Sequence, residues 1–278
     1  MGVFYSEICA ALPASPTLGK AYSSKISENI YPFKQLVAGK DMRLEDLTVI
    51  VPTRNEAANI RAFLESLPKT LALIVVDAGD DATADIVADI RPEHSLVLRH
   101  LSPISEARQL GAKAASTPWL LFTDADVQFS LEYFEQLVHQ PPGDAVYGPK
   151  LSRDRFQTYY RWFAYGQRLS HWLGIPAATG SNILLKGEVL TAVSGFDPEL
   201  SCNEDSELLW RVKRAGYQVA YNPHLAVYAR DHRRLERGLW RKTAHSISRC
   251  LLLYWNLLPA RWRRHDWGYW TPPRLPRD

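Results

Sequence analysis

Cysteine is scarce in this sequence, and its scarcity excludes two classes of small stabilised domain. The three cysteines, Cys9, Cys202 and Cys250, are widely scattered, and none forms a Cys-x-x-Cys pair or another zinc-binding spacing. They supply neither a disulfide framework nor a zinc knuckle. The Asn-x-Ser/Thr sequon of N-glycosylation is also absent. We therefore expect a reducing compartment and a cytoplasmic location.

Long hydrophobic runs are lacking as well. The longest strongly apolar stretch near the C-terminus covers residues 251–258, far short of the roughly 20 residues that a membrane-spanning helix needs. An apolar patch at residues 8–14 follows Glu7 and has no basic segment before it, which is not the pattern of a signal peptide. The sequence thus predicts no membrane span, and any membrane contact is expected to be peripheral, at the inner face.

A large net charge is lacking too, but the small excess is unevenly placed. The whole chain has a formal charge of +3, whereas residues 230–278 contain 12 Lys or Arg against 4 Asp or Glu, which leaves the first 229 residues at −5. The basic segment also holds five of the nine tryptophans. This pattern predicts a basic, aromatic surface beyond the main domain. Because no recognised nucleic-acid-binding motif accompanies the charge, we expect no nucleic-acid partner.

What the sequence does have is the composition of a packed protein. Hydrophobic residues make up 46% and aromatic residues 11% of the 278 residues, which excludes a disordered chain. This length suits one elaborated α/β domain with appendages. We divide the chain into an N-terminal extension of unknown role (1–46), a main domain (47–229) and a basic, Trp-rich C-terminal helical extension (230–278).

Buried strands and amphipathic helices alternate from Leu47 onwards. Short apolar runs bounded by turn residues predict strands, and apolar residues at helical spacing predict helices. The predicted strands cover residues 47–52, 71–76, 96–99, 119–123, 145–147, 182–185 and 219–221. The predicted helices cover residues 55–67, 83–90, 105–115, 131–138, 156–173, 204–215 and 235–258. This alternation predicts a doubly wound, mostly parallel sheet whose ligand site lies beyond the carboxyl ends of the strands.

The tripeptide Asp124-Ala125-Asp126 follows one of these predicted strands. Two carboxylates one residue apart can converge on Mg²⁺ or Mn²⁺. The coordination of an ion held in this way is usually completed by substrate phosphates. Acidic pairs also occur in solvated turns. However, polar or acidic clusters follow two earlier strands as well, at residues 53–56 and 77–81. Together the three clusters predict a metal site that binds a diphosphate.

Several segments are similar, in order and spacing, to the family 2 glycosyltransferases of the GT-A fold. The segments are VIVPTRNEAANI, VVDAGDDAT, EARQLGAKAA, LLFTDAD, TGSNILLKGEVLTAVSGFDPEL and NEDSELLWRVKRAGYQVAYNP, within residues 47–224. The resemblance implies a Rossmann-like GT-A sheet, a nucleotide-diphospho-sugar donor with UDP-sugar favoured, Mg²⁺ or Mn²⁺, and usually inversion at the anomeric carbon. It also implies a hydroxyl acceptor, either a glycan or a lipid-linked molecule, in the synthesis of cell-envelope polysaccharide or glycolipid.

The resemblance assigns the donor loop and the base-binding carboxylate. Pro52, Thr53, Arg54 and Glu56 resemble the first nucleotide-binding loop, which lies near the base and ribose. Asp77 resembles the carboxylate after the second strand that hydrogen-bonds the base. The family often has DDGS at this position, whereas this chain has DAGD.

The resemblance also assigns the donor and metal residues around the DxD tripeptide. Asp126 would bind the metal, and Asp124 would bind the ribose or a metal-bound water, with Ala125 between them in the donor site. Arg108 resembles the family arginine that precedes DxD and supports the donor pocket. The alternative for Arg108 is an ordinary helix-surface arginine.

On the acceptor side, the resemblance points to two segments. Asp205 resembles the general base that takes the proton of the acceptor hydroxyl, and Glu204 beside it resembles an acceptor-binding residue. The alternative is that these acids only favour a helix N-terminus. Gly180, Ser181 and Asn182 resemble the segment beneath the donor sugar and acceptor, with a simple turn as the alternative. Spacing leaves open whether the reaction inverts or retains configuration.

Two features of the basic C-terminal segment stay open between alternatives. His232 is a candidate metal or diphosphate ligand, as histidines are in some GT-A enzymes, or else a surface histidine. The helix predicted over 235–258 suits membrane-surface contact, with basic residues toward anionic headgroups. Its apolar stripe suits packing on the core or on a second subunit equally well.

Two other functions compete with glycosyl transfer. A nucleotidyltransferase that makes the sugar nucleotide would be expected to have a glycine-rich basic loop after the first strand, and PTRNEAANI lacks one. A non-catalytic module that binds sugar nucleotides or a membrane surface would not need Asp124, Asp126 and Asp205 together. The sequence names neither the sugar, the base nor the acceptor.

Overall fold

The structure, a computed structural model, describes residues 42–139, 143–236 and 238–264. Most of the predicted N-terminal extension lies outside these residues, and so do Trp267 and Trp270 of the basic segment. Within the described ranges, no helix combines the length and the apolar character needed to cross a bilayer.

The main element is a sheet of seven strands. These are β1 (Leu47–Thr53), β2 (Ala72–Asp77), β3 (Ser95–Arg99), β4 (Trp119–Phe122), β6 (Ala145–Tyr147), β8 (Ile183–Lys186) and β9 (Val219–Tyr221). Their spatial order is β3-β2-β1-β4-β8-β6-β9. Only β8 runs antiparallel to its neighbours in this sheet, so the carboxyl ends of β1, β2 and β4 meet at one edge.

Helices cover both faces of the sheet, and most of them follow a strand in the sequence. The helices are α1 (Ala57–Glu65), α2 (Thr83–Ile90), α3 (Ile104–Ala114), α4 (Leu131–His139), α5 (Gln157–Trp172), α6 (Gly187–Ala192), α7 (Glu204–Arg214), α8 (Arg233–Glu236), α9 (Leu239–Tyr254) and α10 (Ala260–Arg263). A short 3₁₀ helix, Leu44–Asp46, leads into β1. The helix predicted over 235–258 is divided, because α8 ends at Glu236 and α9 begins after Gly238, whose φ is +136°.

The core has two layers because successive side chains of a strand point to opposite faces. Val49 and Val51 of β1 pack with Phe63 of α1 in one buried cluster. Ile50, between them, packs in another cluster with Leu208 of α7. The apolar run of β1 is buried on both sides, as a central parallel strand requires.

A second, smaller sheet was not predicted from the sequence. It contains three strands of three residues each, β5 (Val127–Phe129), β7 (Lys150–Ser152) and β10 (Val227–Ala229), with β10 in the middle. Such short strands have too few residues for a periodic signal. Its position matters for the site, because β5 begins directly after Asp126 and the N–H of Arg230, after β10, donates to the Asp126 carbonyl at 2.8 Å.

Candidate functional site

The carboxyl ends of β1 and β2 form one side of the candidate site. Thr53 and Asp77, the last residues of these strands, are in register. The Thr53 hydroxyl donates to Oδ1 of Asp77 at 2.8 Å, and both side chains are buried. Oδ2 of Asp77 is buried without a hydrogen-bond partner in the described part of the chain. Because an unmet buried acceptor is costly, this oxygen is a suitable acceptor for an N–H group of a ligand.

The loop after β1 is held in shape by the turn after β2. Asn55 has a positive φ of 57°, and its Oδ1 accepts the N–H of Asp80 at 2.9 Å. The N–H of Ala57, at the start of α1, donates to Oδ2 of Asp81 at 3.0 Å. The departure from DDGS thus lies in a turn that supports the donor loop, while Asp77 keeps its position at the strand end.

Arg108 lies at the centre of the site and is buried, so the alternative of a helix-surface arginine is wrong. Its Nη2 donates to Oδ1 of Asp124 at 2.9 Å, and its Nη1 donates to Glu204. Burial alone lowers the pKa of Arg108, but the surrounding carboxylates, Glu204 first, outweigh burial and raise it. A charged guanidinium from α3 therefore links the strand end of β4 to the first turn of α7.

The DxD carboxylates lie beside Arg108 at the edge of the sheet. Oδ2 of Asp124 accepts the Ser181 hydroxyl at 2.5 Å, and Oδ1 of Asp126 accepts Nζ of Lys150 at 3.0 Å. About a quarter of each aspartate side chain is exposed, 26% and 25%. Asp77 ends β2 and Asp124 follows β4. These strands lie on either side of β1, so their ends are about 10 Å apart.

This donor set fits a partly hydrated Mg²⁺ or Mn²⁺. Hard carboxylate oxygens of Asp124 and Asp126 are present and reach solvent, which is the chemistry these ions prefer. Among the residues that the structure describes, no group of three or more His, Cys, Asp or Glu side chains is arranged to hold a metal. An ion here would accordingly take the rest of its coordination from water and from a bound phosphate.

Asp205 lies in the first turn of α7, next to this cluster. Its Oδ2 accepts the N–H of Gly180 and its Oδ1 accepts the N–H of Ser206, both at 2.6 Å. Burial, followed by the negative charge of Glu204, raises the pKa of Asp205 to about 7, although Arg108 opposes the shift. A carboxyl group with this pKa can exchange a proton near neutral pH.

A cavity of about 450 Å³ opens beside the ends of β1 and β2. Its walls include the predicted donor loop at Pro52, Thr53 and Arg54, and also Leu101 and Arg264. A second cavity, of about 510 Å³, is lined by residues such as Met42 and His139 near the amino end of β1. That cavity contains none of the predicted site residues, so the first cavity is the candidate ligand site.

Residues 48–188, about half of the chain, match the family model described as Glycosyl transferase family 2. The chain belongs to glycosyl transferase family 2. The matched residues include the donor loop, Arg108, the DxD tripeptide and Gly180 to Asn182. Asp205 lies beyond them, on α7.

Curated relatives match this chain over part of their own length. The pre-mycofactocin glycosyltransferase of Mycobacterium tuberculosis is 29% identical over 210 residues, which are 68% of this chain and 43% of the relative. The succinoglycan biosynthesis protein ExoA of Rhizobium meliloti is 25% identical over 198 residues, 62% of this chain and 59% of ExoA. The chain thus spans about half the length of the curated relatives it matches.

Solved structures share the fold. The mannosyltransferase PcManGT from Pyrobaculum calidifontis, in complex with GDP-Man and Mn²⁺, has a TM-score of 0.54 and 21% identity, covering 66% of this chain and 56% of that one. S. aureus TarS in complex with UDP-GlcNAc has a TM-score of 0.55 and 21% identity, covering 67% and 58%. The predicted resemblance and the GT-A type α/β fold with its mostly parallel sheet are confirmed.

Two predicted site residues of this glycosyltransferase are occupied by contacts within the fold. The amide of Asn182 accepts from the Tyr133 hydroxyl and donates to the Leu225 carbonyl, both at 2.6 Å. His232 is buried instead of lying at the surface, and its ring nitrogens contact the Tyr160 hydroxyl at 3.3 Å and Asp154 at 3.0 Å. These contacts give Asn182 and His232 a place in the scaffold around the site.

Two basic residues next to the predicted site were missed. Nζ of Lys150, on β7, lies 3.0 Å from Asp126 and 3.3 Å from the Ser181 hydroxyl. Nη2 of Arg233, on α8, lies 3.0 Å from Oε1 of Glu56 in the donor loop. The sequence offers no local signal for Lys150, because it occurs 24 residues after Asp126 in an unpredicted strand. Arg233 follows His232 in the sequence and could contact a phosphate, but the sequence gives no reason to select it as a site residue.

A buried arginine of the C-terminal segment helps to hold α10 beside the candidate cavity. Nη1 and Nη2 of Arg249, on α9, donate to the carbonyls of Trp262 and Arg263 at 2.6 and 2.8 Å. The N–H of Ser201, before α7, also donates to the Arg263 carbonyl, at 3.2 Å. These contacts place α10 against the loop before α7, with Arg264 at the cavity wall.

Proposed function

We propose that this family 2 glycosyltransferase transfers a sugar from a nucleotide-diphospho-sugar to a hydroxyl group of an acceptor, with the help of a divalent metal. The observation that carries the proposal is the buried Arg108, which joins Asp124 of the DxD tripeptide to Glu204, next to Asp205. It brings the predicted donor carboxylate and the predicted base into one cluster. Transfer of a glycosyl group needs both, one at the leaving diphosphate and one at the attacking hydroxyl.

The cavity beside β1 and β2 is the proposed site of the nucleoside. Oδ2 of Asp77, which has no hydrogen-bond partner in the described part of the chain, suits the ring N–H of a base. The cavity is lined by the donor loop at Pro52 to Arg54 and by Ala78, which follows Asp77. TarS binds UDP-GlcNAc and PcManGT binds GDP-Man, and both bases carry a ring N–H that a carboxylate can accept. We keep UDP-sugar as the favoured donor.

Asp126 and Asp124 would hold Mg²⁺ or Mn²⁺ together with the diphosphate. When bound, the metal supplies positive charge that stabilises the departing nucleoside diphosphate. Arg108 keeps one oxygen of Asp124 in place, and Lys150 does the same for Asp126. Both cations offset the charge of the two carboxylates before any ligand arrives, which lowers the cost of keeping them side by side.

Asp205 is the proposed general base. Its unprotonated form would accept the proton of the acceptor hydroxyl as that oxygen attacks the anomeric carbon, and inversion is the expected result. Because the pKa of Asp205 is raised to about 7, catalytic efficiency is expected to fall as the pH drops below about 7. The acceptor is proposed to be a glycan or a lipid-linked hydroxyl in cell-envelope synthesis, since the relatives include ExoA of succinoglycan biosynthesis.

The test begins with nucleotide sugars screened by thermal shift, with and without Mn²⁺. A ligand that binds only the folded state raises its stability, by about 2.7 kcal/mol at a concentration 100 times its Kd. We expect one sugar nucleotide to raise the Tm in a Mn²⁺-dependent way. Asp126→Ala should abolish the dependence on Mn²⁺, and Asp89→Ala, an exposed acid on α2, should not.

Turnover then tests the base. Release of nucleoside diphosphate from the identified donor, with water or an added glycan as acceptor, should fall about 10²–10⁴-fold in Asp205→Asn while donor binding persists. The proposal would be wrong if no sugar nucleotide stabilised the chain. It would also be wrong if Asp205→Asn kept the turnover and the pH profile of the parent.

A further inference from the structure

Helix α5 exposes an apolar stripe that no described part of the chain covers. Four large side chains recur at helical spacing on one face, and most of each is exposed: Trp162 72%, Tyr165 65%, Leu169 57% and Trp172 78%. Leu173, directly after the helix, is 62% exposed. Large aromatic side chains are seldom left in water in such a row, and a contiguous exposed apolar patch indicates a contact surface.

The stripe is not the side by which α5 packs on the protein. Tyr160 and Gln167 are the buried residues of this helix. Tyr160 is next to His232, and Nε2 of Gln167 donates to the Ala177 carbonyl at 2.8 Å. Neither residue lies on the face of Trp162, Tyr165 and Trp172, so the helix is already anchored without the stripe.

The charges around the stripe favour an anionic partner. Arg161 and Arg168 are exposed on α5, next to the stripe at positions 162, 165 and 169. Between Asp154 and Glu188 the chain contains no acidic residue. Helices that lie in the interface of an anionic membrane typically combine tryptophan and tyrosine with flanking arginine and lack acidic residues.

A second acid-free segment adjoins the end of α5. Ile175, just after the helix, packs in the cluster that contains Trp210 of α7 and Leu253 of α9. The chain from 237 to 264 also has no acidic residue. Near the end of α9, Trp255 and Leu257 are exposed. The two segments that combine exposed apolar side chains with basic charge therefore meet in one part of the fold.

We infer that α5, through Trp162, Tyr165, Leu169 and Trp172, docks this protein on the surface of a bilayer that contains anionic lipids. The apolar side chains enter the interface while Arg161 and Arg168 contact lipid phosphates. This assigns to α5 the membrane contact that the sequence indicated only for the C-terminal helix. The inference from the stripe does not require the proposed function.

The position of α5 also bears on the acceptor, a step that rests on the proposed function. Lys150, before the helix, binds Asp126, and the N–H of Gly180, after it, donates to Asp205. The chain on both sides of α5 therefore enters the candidate site. Docking through α5 would hold the acceptor side of the site near the bilayer, as a lipid-linked hydroxyl acceptor requires.

The experiment measures binding of the full 278-residue chain to vesicles by co-sedimentation. Vesicles of phosphatidylcholine alone are compared with vesicles that contain phosphatidylglycerol. Trp162→Ser combined with Trp172→Ser removes the two largest side chains of the stripe, and Arg161→Gln combined with Arg168→Gln removes the charge. Leu131→Ser, at a fully exposed leucine of α4, is the matched control. Circular dichroism and the Tm check that each variant is folded.

We expect the parent and Leu131→Ser to bind phosphatidylglycerol vesicles. The tryptophan variant should bind them more weakly, by a factor of about ten or more. The arginine variant should lose most of the dependence on salt and on anionic lipid. Mn²⁺-dependent nucleotide binding should be unchanged in every variant, so failure of the docking inference is distinguishable from failure of the proposed function.

Three results would overturn the inference. One is equal vesicle binding by the parent and the tryptophan variant, which would place the membrane contact elsewhere. Another is equal binding to both kinds of vesicle. The third is no vesicle binding, together with a dimer in light scattering that the tryptophan variant dissociates, which would make the stripe a contact between two copies of the chain.

Discussion

The carboxyl group of Asp205 is charged at a cost to the fold. Burial and the nearby Glu204 raise its pKa to about 7, whereas an aspartate in an unfolded chain has a pKa of about 3.9. The folded state therefore binds this proton more tightly than the unfolded state does. By linkage, the contribution of Asp205 to stability falls as the pH rises from about 4 to about 7.

The first prediction follows from this dependence of stability on pH. Asp205→Asn cannot ionise, so its free energy of unfolding relative to the parent should increase by about 1 kcal/mol or more between pH 5 and pH 8. Urea denaturation at several pH values measures the difference. The variant would then be less active, while its stability relative to the parent would rise with pH.

Asp144 provides the control for this measurement. Burial alone would raise the pKa of Asp144, but hydrogen bonds from the backbone N–H of Gln218 and then from Lys186 outweigh burial and lower it. Its contribution to stability is present above the unfolded pKa of about 3.9 and is lost only at lower pH. The difference between Asp144→Asn and the parent should thus be constant from pH 5 to pH 8. Parallel profiles for the Asp205 and Asp144 variants would contradict the assignment.

The second prediction concerns Gly180, where a side chain has no room. A Cβ at this position would lie 2.1 Å from Nη2 of Arg108, and Arg108 is buried and held by Asp124 and Glu204. Gly180→Ala should destabilise the protein by about 1–3 kcal/mol, because the core cannot expand. Donor binding should weaken as well, since Asp124 would move with the guanidinium.

Gly166 is the matched control for Gly180. It lies within α5, and a Cβ there would meet nothing within 4 Å. Gly166→Ala should leave stability unchanged or raise it by about 0.5–1 kcal/mol, because alanine favours the helix. Thermal or urea unfolding of both variants tests the pair. Equal effects of the two substitutions would show that Arg108 does not confine residue 180.

At the scale of elements, the long buried strands and the residues at their ends were predictable. β1 and β2 are apolar runs that end in polar residues, so their carboxyl ends could be identified as a candidate site from the sequence. Asp77 and Asp124 follow from this pattern. The role of Arg108 needed the family resemblance, because nothing in a helix sequence indicates that one arginine points inward.

The small sheet was beyond the reach of the sequence for a physical reason. Its strands are three residues long and pair only across large sequence separations, as when Val227 of β10 pairs with Lys150 of β7. Local pattern cannot report such a pairing. Because Lys150 takes its place beside Asp126 only through this sheet, it could not be identified as part of the site either.

The third prediction concerns the attachment of α10. Arg249 is buried, and its guanidinium donates to the carbonyls of Trp262 and Arg263. Arg249→Met would keep the apolar contacts of the stem but remove both guanidinium hydrogen bonds, so that Ser201 alone would connect the Arg263 carbonyl to the loop before α7. We expect a cost of about 1–3 kcal/mol. Amide hydrogen exchange over residues 258–264 should become faster, while exchange in β1 and β2 should change much less.

Arg99→Met is the control, because Arg99 makes an exposed ion pair with Asp85 at 3.3 Å. Exposed pairs of this kind contribute about 0–1 kcal/mol. We therefore expect hydrogen exchange near residue 99 to stay close to that of the parent. If Arg249→Met left exchange over 258–264 unchanged, contacts other than this guanidinium would hold α10.

At the scale of the whole molecule, buried contacts join residues on both sides of the domain boundary predicted at residue 229. Leu200 and Trp210, from the main domain, share a cluster with Leu253 and Leu258. Leu235, on α8, is also buried. Burying a leucine contributes about 1.5–3 kcal/mol. The three leucines after residue 229, Leu235, Leu253 and Leu258, therefore account for roughly 5–9 kcal/mol, which is similar to the total stability of a typical domain.

The last prediction is that a chain ending at Ala229 does not fold on its own. Loss of residues 230–278 uncovers Trp210 and Leu200. It also removes the buried Leu235 and the contact of His232 with Tyr160. A chain ending at Arg264 keeps all of these contacts and should show the Tm and the far-ultraviolet circular dichroism of the parent. A cooperative thermal transition in the shorter chain would instead show that the main domain folds without residues 230–278, because a fragment that lacks a necessary part of its core melts without a cooperative transition.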